Sequence, residues 1–404
     1  MSETSTARQH VAYNPMGAEF QQDPYPSLRR LREHDPIHLT RQGWVLTRYD
    51  DCALVLASRQ FGMRGIERML RRQMGPGPAC DLVGGRFHSL DPPEHTRLRS
   101  LVVKAFSARR VEEMRRGVEE ITERLLDRVG ARTSFDLVET LAYPLPSSVI
   151  TQLLGTPTDE RPRMNAWTER ILTLQGMVHP DRATVADGNA AAAEFMTYMR
   201  GYVAARRRDP REGLVSALIA AADEGERLTD EEVAHCAVFL SNAGYSTTRN
   251  LIASAAVALL SRRDQWQRLV DDPSLISDAV AEALRYDCSL TSTPRFARED
   301  TLVGRRRIAA GAAVFCLLNA ANRDPERFPE PDRFDIDRAD KKHLAFGGGV
   351  HHCLGARLAR LQIEVALGSL VRRHPQLRLA AERIEWRSGL YRGPVRVPVV
   401  TAGR

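Results

Sequence analysis

One stretch limits what this 404-residue chain can fold into. "TDEEVAHCAVFLSNAGYSTTRNLIASAAVALLSRR" opens with a capping box, Thr229 to Glu232, in which side chain and backbone satisfy each other at a helix start. The pattern then continues for about thirty residues, a helix of roughly 45 Å. Its middle, Ala243-Gly244-Tyr245-Ser246-Thr247-Thr248, is poor helix former. Glycine and clustered hydroxyls weaken a helix locally. A long buried helix with a weak point in its middle marks a site.

The surroundings are helical too. "PEHTRLRSLVVKAF", "RVEEMRRGVEEITERLLDRV" and "AAAAEFMTYMRGYVAARRR" carry helical patterns, and an aromatic content of 6% suits helices better than sheets. "GWVLTRYDD" (43–51) reads as a strand turning into a short helix, and strands return in "TLVGRRRIAAGAAVFCLL" and "VRVPVV". The expected fold is mainly α with a small β-rich part, as one domain over 1–404, with residues 1–20 poorly ordered. No run of about 18–20 apolar residues predicts a membrane span, and the polar start lacks the apolar core of a secretory signal. A soluble, cytoplasmic protein is expected. The formal charge is +7, but the basic residues are interleaved with acids, which speaks against nucleic acid and leaves room for an acidic protein partner.

Six cysteines are scattered without CxxC spacing, which argues against a disulfide framework or a zinc ribbon. One of them, Cys353, stands in "FGGGVHHCLG" (346–355), just before the amphipathic stretch "LGARLARLQIEVALGSLVRR". A helix N-terminus favours a thiolate, and the glycines let a tight backbone approach something flat. One thiolate with an open metal face is the proximal ligation of a haem-thiolate enzyme. A buried structural cysteine would not need the glycines. A zinc site from His343, His351, His352 and Cys353 lacks ligand spacing, and a phosphate loop would want a preceding strand and a following Lys.

"FGGGVHHCLG" resembles the haem-binding signature of the cytochrome P450 family, Phe-x-x-Gly-x-His/Arg-x-Cys-x-Gly, with Phe346, Gly349, His351, Cys353 and Gly355 in place. "EALR" resembles the family's Glu-x-x-Arg, "ANRDPERFPEPDRFDIDR" the segment with a further arginine, and "DPPEHTRLR" (91–99) the bacterial helix that meets the haem propionates. The resemblance implies the cytochrome P450 fold, with haem b between the long distal helix and the proximal cysteine loop. It implies Cys353 as axial ligand of the iron, Phe346 packed near the sulfur, and His95, Arg99, Arg295 and His351 on the propionates. Arg295, rather than nearby Arg298, keeps the family spacing. Glu282, Arg285 and Arg333 form a structural ion network in this reading. The activity implied is insertion of one oxygen atom from O2 into a small organic substrate, a hydroxylation or epoxidation in bacterial specialised metabolism. Oxidative coupling or desaturation on the same haem, and a non-catalytic haem sensor, are the alternatives. Electrons are expected from NAD(P)H through a ferredoxin and its reductase, because the chain has no flavin or iron–sulfur motif. Arg99, Lys104, Arg109, Arg110 and Arg357 are candidates for the basic docking patch.

The distal helix departs from the family pattern. Ala/Gly-Gly-x-Asp/Glu-Thr becomes Ala243-Gly244-Tyr245-Ser246-Thr247, with a serine at the acidic position. Ala243 and Gly244 are expected to leave room for O2, and Thr247 to steady it. A serine hydroxyl relays protons, whereas a carboxylate also gathers them. Between Phe61 and His88 lie Arg64, Arg68, Arg71, Arg72 and Arg86 against only Glu67 and Asp81. Arg64, Arg68 and Arg72 at i, i+4, i+8 predict one helix face of like charge, either solvated surface or a site for an anionic or carrier-tethered substrate. Val238, Ser289, Thr293, Leu390 and Tyr391 are further pocket candidates by family position.

Overall fold

The computed structural model describes residues 12–401 apart from 86, 178, 224–227 and 388. Nine helices position the site: α1 (Tyr49–Ala57), α2 (Ile66–Met74), α3 (Glu94–Val103), α4 (Pro144–Leu154), α5 (Arg161–Gly176), α6 (Arg182–Arg208), α7 (Asp230–Leu260), α8 (Ile276–Tyr286) and α9 (Ala356–Arg373). The long helix α7 runs through the core and touches α4, α5, α6, α8 and α9. Its start is built as the sequence predicts. Thr229 Oγ1 accepts from the Glu232 amide at 3.1 Å, and Glu232 Oε2 accepts from the Thr229 amide at 2.9 Å. The three acids of the first turn complement the helix dipole and also bind neighbours: Glu232 pairs with Arg97 of α3, while Glu231 and Asp230 pair with Arg200 and Arg207 of α6.

The expected weak point does not interrupt α7, which is helical throughout. The Thr247 hydroxyl donates back to the Ala243 carbonyl at 2.7 Å, the local competition that hydroxyl side chains offer a helix. Gly244 has a packing reason, since a Cβ there would meet Ile150 Cδ1 of α4 at 2.5 Å.

The β-rich part is a five-stranded sheet of β1 (Ile37–Thr40), β2 (Gly43–Leu46), β3 (Phe61–Gly62), β4 (Ser292–Ala297) and β5 (Ala313–Leu317), in the order β1-β2-β5-β4-β3. Only β2 and β5 run parallel, with Leu46 opposite Cys316. This sheet and α1 enclose their own apolar core, of Leu46, Val55, Leu56, Phe61, Val314 and Cys316 among others. A hairpin of β6 (Trp386–Arg387) and β7 (Gly393–Pro394) leans on α7, because Gly393 sits where a Cβ would meet Asn250 Cγ at 2.5 Å.

Two expectations need correction. Residues 1–11 lie outside the described residues, but part of the remaining stretch expected to be poorly ordered is anchored: Tyr13 and Phe20 meet edge-on at 5.7 Å and pack against the core, and residues Ala18–Gln22 are helical. The ion network also has a different second arginine. Arg285 binds Glu282 in bidentate fashion at 2.7 and 2.8 Å, both fully buried. The side chain of Arg333 is 62% exposed and turns to Glu330, giving the network only its carbonyl, which accepts from Arg285. Arg338, 8% exposed, reaches Glu282 at 3.2 Å instead. Two arginines stand five residues apart in "DRFDIDR", and only the path of the chain decides which one turns inward.

Removing one partner of a buried pair leaves an uncompensated charge. Arg338→Ala should therefore lower stability by about 3 kcal/mol, and Arg333→Ala by no more than about 0.5 kcal/mol. Chemical denaturation of the two variants measures the difference.

Candidate active site

The cysteine loop is shaped by two left-handed glycines, Gly347 (φ 68°) and Gly349 (φ 64°). At Gly349 a side chain would also run into the Leu56 carbonyl of α1, so the loop lies against that helix. The Cys353 amide then closes the loop on the Phe346 carbonyl at 2.9 Å. Five cysteines are buried, and Cys353 alone of the six is exposed. Burial pushes the thiol above its ordinary pKa, while the Gly355 amide and Arg99 pull it down.

Four cationic or ionisable groups gather from three elements, α3, β4 and the loop itself. His95 of α3 and His351 of the loop have ring centroids 4.3 Å apart. Both nitrogens of both rings are buried without a hydrogen-bond partner among the described residues. Burial, then Arg295 and His95, push His351 down to about 3. Burial and Arg99 likewise lower His95. Arg295, on β4 and 4% exposed, has no carboxylate partner among the described residues; it donates to the Pro294 carbonyl at 2.8 Å and to Thr293 Oγ1 at 3.2 Å. Arg99 reaches the loop through the His352 carbonyl at 2.7 Å. Arg298 is engaged elsewhere, in an ion pair with Asp91 at 2.9 Å. Four buried ring nitrogens and two arginines make a place that lacks negative charge. Beside the Cys353 thiol and a glycine floor, such donors fit the two carboxylates of a haem.

On the distal side Thr247 and Ala243 share a turn of α7, and Ser246 beside them is 9% exposed. Gly244 faces Ile150 of α4, so its missing side chain lets the two helices pack closely.

The pocket candidates divide. Val238 and Ser289 have 0% and 2% exposure, and the Ser289 hydroxyl accepts from Asn250 at 3.2 Å. They are core, not lining. Thr293, Leu390 and Tyr391 are half-buried, and the two segments meet where the Thr291 amide donates to the Leu390 carbonyl at 3.0 Å and Leu290 bridges Tyr391. The like-charged helix face is not formed as expected. α2 begins at Ile66, so Arg64 precedes it, and its amide is held by Asp91 at 3.1 Å. Ile66, Leu70 and Met74 bury the other face, leaving Arg64, Arg68 and Arg72 exposed. Arg71 pairs with Glu67 at 2.9 Å, and Arg86 lies outside the described residues. The sequence reading missed Asp91, which fastens Met63, Arg64 and Arg298, although it begins the quoted "DPPEHTRLR".

Comparison with known proteins agrees with this geometry. Residues 262–376 match the family model for cytochrome P450. Cytochrome P450 107B1 of Saccharopolyspora erythraea is 40% identical over 396 residues, covering 94% of this chain and 95% of the relative. Nocardicin C N-oxygenase of Nocardia uniformis is 41% identical over 400 residues, with 95% and 97% covered. The structure of P450BioI in complex with a fatty-acyl-ligated acyl carrier protein superposes with a TM-score of 0.89 at 33% identity, covering 95% of this chain and 100% of that one.

The chain belongs to the cytochrome P450 family. It is a monooxygenase of the kind that tailors bacterial specialised metabolites, which requires haem iron, O2 and an external supply of electrons. Among the described residues no helix is long and apolar enough to cross a membrane.

The buried arginine and the engaged one separate cleanly. Arg295→Ala should reduce haem content to about half or less, because a charge-assisted donor is lost from a buried site. Arg298→Ala should leave haem content unchanged, as a part-exposed pair contributes little. The ratio of haem absorbance to protein absorbance in the purified variants gives the answer.

Proposed function

We propose that the protein is a cytoplasmic haem b monooxygenase with Cys353 as the axial thiolate, and that it hydroxylates or epoxidises a small organic substrate. The bound haem supplies the reduction of O2, in which two electrons and two protons send one oxygen atom to the substrate and the other to water. The observation that carries this reading is the convergence of His95, Arg99, Arg295 and His351 beside the one exposed cysteine. Gly349 and Gly355 shape the cysteine loop and its exit into α9, and Phe346 covers the sulfur side. The Thr247 oxygen keeps lone pairs to accept from a water while its own proton rests on the Ala243 carbonyl.

Electrons come from NAD(P)H through a reductase and a small acidic ferredoxin. Lys104 and Arg357 are exposed near the cysteine loop. Arg109 and Arg110 contribute less than the sequence suggests, since both pair with Glu113, at 2.9 and 3.2 Å. Arg357→Glu should raise the KM for ferredoxin by about threefold or more, and added salt should narrow the gap from wild type. Steady-state kinetics at two ionic strengths test this.

The exposed positions of Arg64, Arg68 and Arg72 suit a large acidic partner better than a carboxylate inside a pocket. A carrier protein presenting a tethered substrate is such a partner, and one is bound in the P450BioI structure. Spin-state titrations with a free acid, its methyl ester and the carrier-bound acid separate the cases. The triple variant Arg64→Gln/Arg68→Gln/Arg72→Gln should weaken the carrier-bound form by about tenfold while holding the free acid within about twofold. An equal loss for free acid and carrier-bound acid would place these arginines in the substrate pocket itself.

A further inference from the structure

Ser246 leaves α7 without an acid of its own at the turn that carries Thr247. A carboxylate arrives there from another helix. Tyr245, the residue before Ser246, donates its hydroxyl to Glu169 Oε1 of α5 at 3.0 Å. Arg249, one turn further along α7, donates to the same oxygen at 3.0 Å. Among the described residues, Glu169 is the carboxylate hydrogen-bonded to the middle of α7. The Glu169 side chain is 44% exposed and can exchange protons with water, whereas Tyr245 is 2% exposed and sits in the core.

The groups around this carboxylate come from α7 and two further segments. Tyr143, just before α4, meets the Tyr245 ring edge-on at 5.3 Å. The Arg249 guanidinium lies 5.5 Å from the Tyr143 ring. Arg387 of β6 stands opposite Gly393, which packs on Asn250 of α7, and burial, then Arg249, lower its pKa while Glu169 raises it. Burial raises the Tyr245 phenol, so it remains a neutral hydroxyl that can both donate and accept.

Stability alone explains this cluster poorly. Arg249 is 4% exposed and its Nε is buried without a partner. A buried guanidinium held by one half-exposed carboxylate contributes little net stability.

We infer that Glu169 is the proton-collecting acid for the distal turn of α7, acting through the Tyr245 hydroxyl and water toward Ser246 and Thr247. Glu169 does not touch the reacting atoms; it is a positioning residue that acts through others. A proton enters from water at Glu169 and one leaves at the Ser246–Thr247 turn. Every group on the route returns to its starting protonation state, and no electron moves through it. This rests on the monooxygenase reading above.

The test uses the full-length haem-loaded enzyme as wild type, Glu169→Gln, Glu169→Asp, Tyr245→Phe and Glu169→Gln/Ser246→Asp. One readout is independent of turnover: the stretching frequency of carbon monoxide bound to the reduced enzyme, followed against pH as a probe of the distal field. The other is the fraction of reducing equivalents released as peroxide. The wild type should show a pH step in the stretching frequency that Glu169→Gln abolishes and Glu169→Asp retains. Glu169→Gln and Tyr245→Phe should raise the peroxide fraction by about threefold or more, within the range of general acid effects, and adding Ser246→Asp to Glu169→Gln should lower it again. A wild-type pH step and peroxide fraction in Glu169→Gln would overturn the inference. So would a lowered melting temperature with unchanged peroxide, which would make the cluster a strut. A wild-type enzyme that consumes no reductant with any redox partner would sink the monooxygenase reading as well, before any variant is compared.

Discussion

The carboxylate of Glu282 is the constraint on which the rest of the site depends. It is fully buried, and a bare charge there would cost several kcal/mol. Its cost is met by Arg285 at 2.7 and 2.8 Å, by Arg338 at 3.2 Å and by the Asp335 amide at 2.9 Å. Arg285 also donates to the carbonyls of Asn322, Pro331 and Arg333. α8 is thereby bound to the long irregular segment that leads to the cysteine. The Asn322 side chain then accepts from the Leu344 amide at 2.7 Å, two residues before Phe346. A segment without regular ladders is given a fixed course by one buried charge and its donors. The position of Cys353 follows from that course.

A second principle is that the site assembles charge from parts that are distant in the chain. α3 brings His95 and Arg99, β4 brings Arg295 and the cysteine loop brings His351. None of these groups meets a carboxylate among the described residues, and burial holds both imidazoles in the neutral form. Asp91, the nearby acid, is already committed to Arg298 and two backbone amides. That imbalance distinguishes the place from an internal salt bridge and is what the proposed haem carboxylates would meet.

Much of this was legible in the sequence. The capping box fixed the start of α7, and the glycines before Cys353 announced a loop that only small residues can form. Other features depended on tertiary direction, which local pattern does not encode. Arg333 and Arg338 look equivalent in sequence, and only the turn of the backbone sends one inward. Gly244 has a packing reason in Ile150 that its sequence neighbours do not announce. Arg64 falls on a helical period with Arg68 and Arg72, yet the left-handed Gly65 starts the helix after it. Glu169 carries no signal of its own, since its significance comes from the helix it touches.

Gly349 pressed against the Leu56 carbonyl has a consequence for how the molecule comes into being. α1 belongs to the β-side core, with Leu56 and Leu344 in it, while α9 belongs to the helical core, and Ala345 packs against both. The cysteine loop is therefore a seam between two cores, one begun near the N-terminus and the other completed near the C-terminus. Contacts so far apart in the chain form late, after the entropy of closing the intervening loop has been overcome. A chain still being synthesised can hold most of its helices and its sheet before it holds Cys353 in place. The loop's geometry is thus complete only when both cores are present.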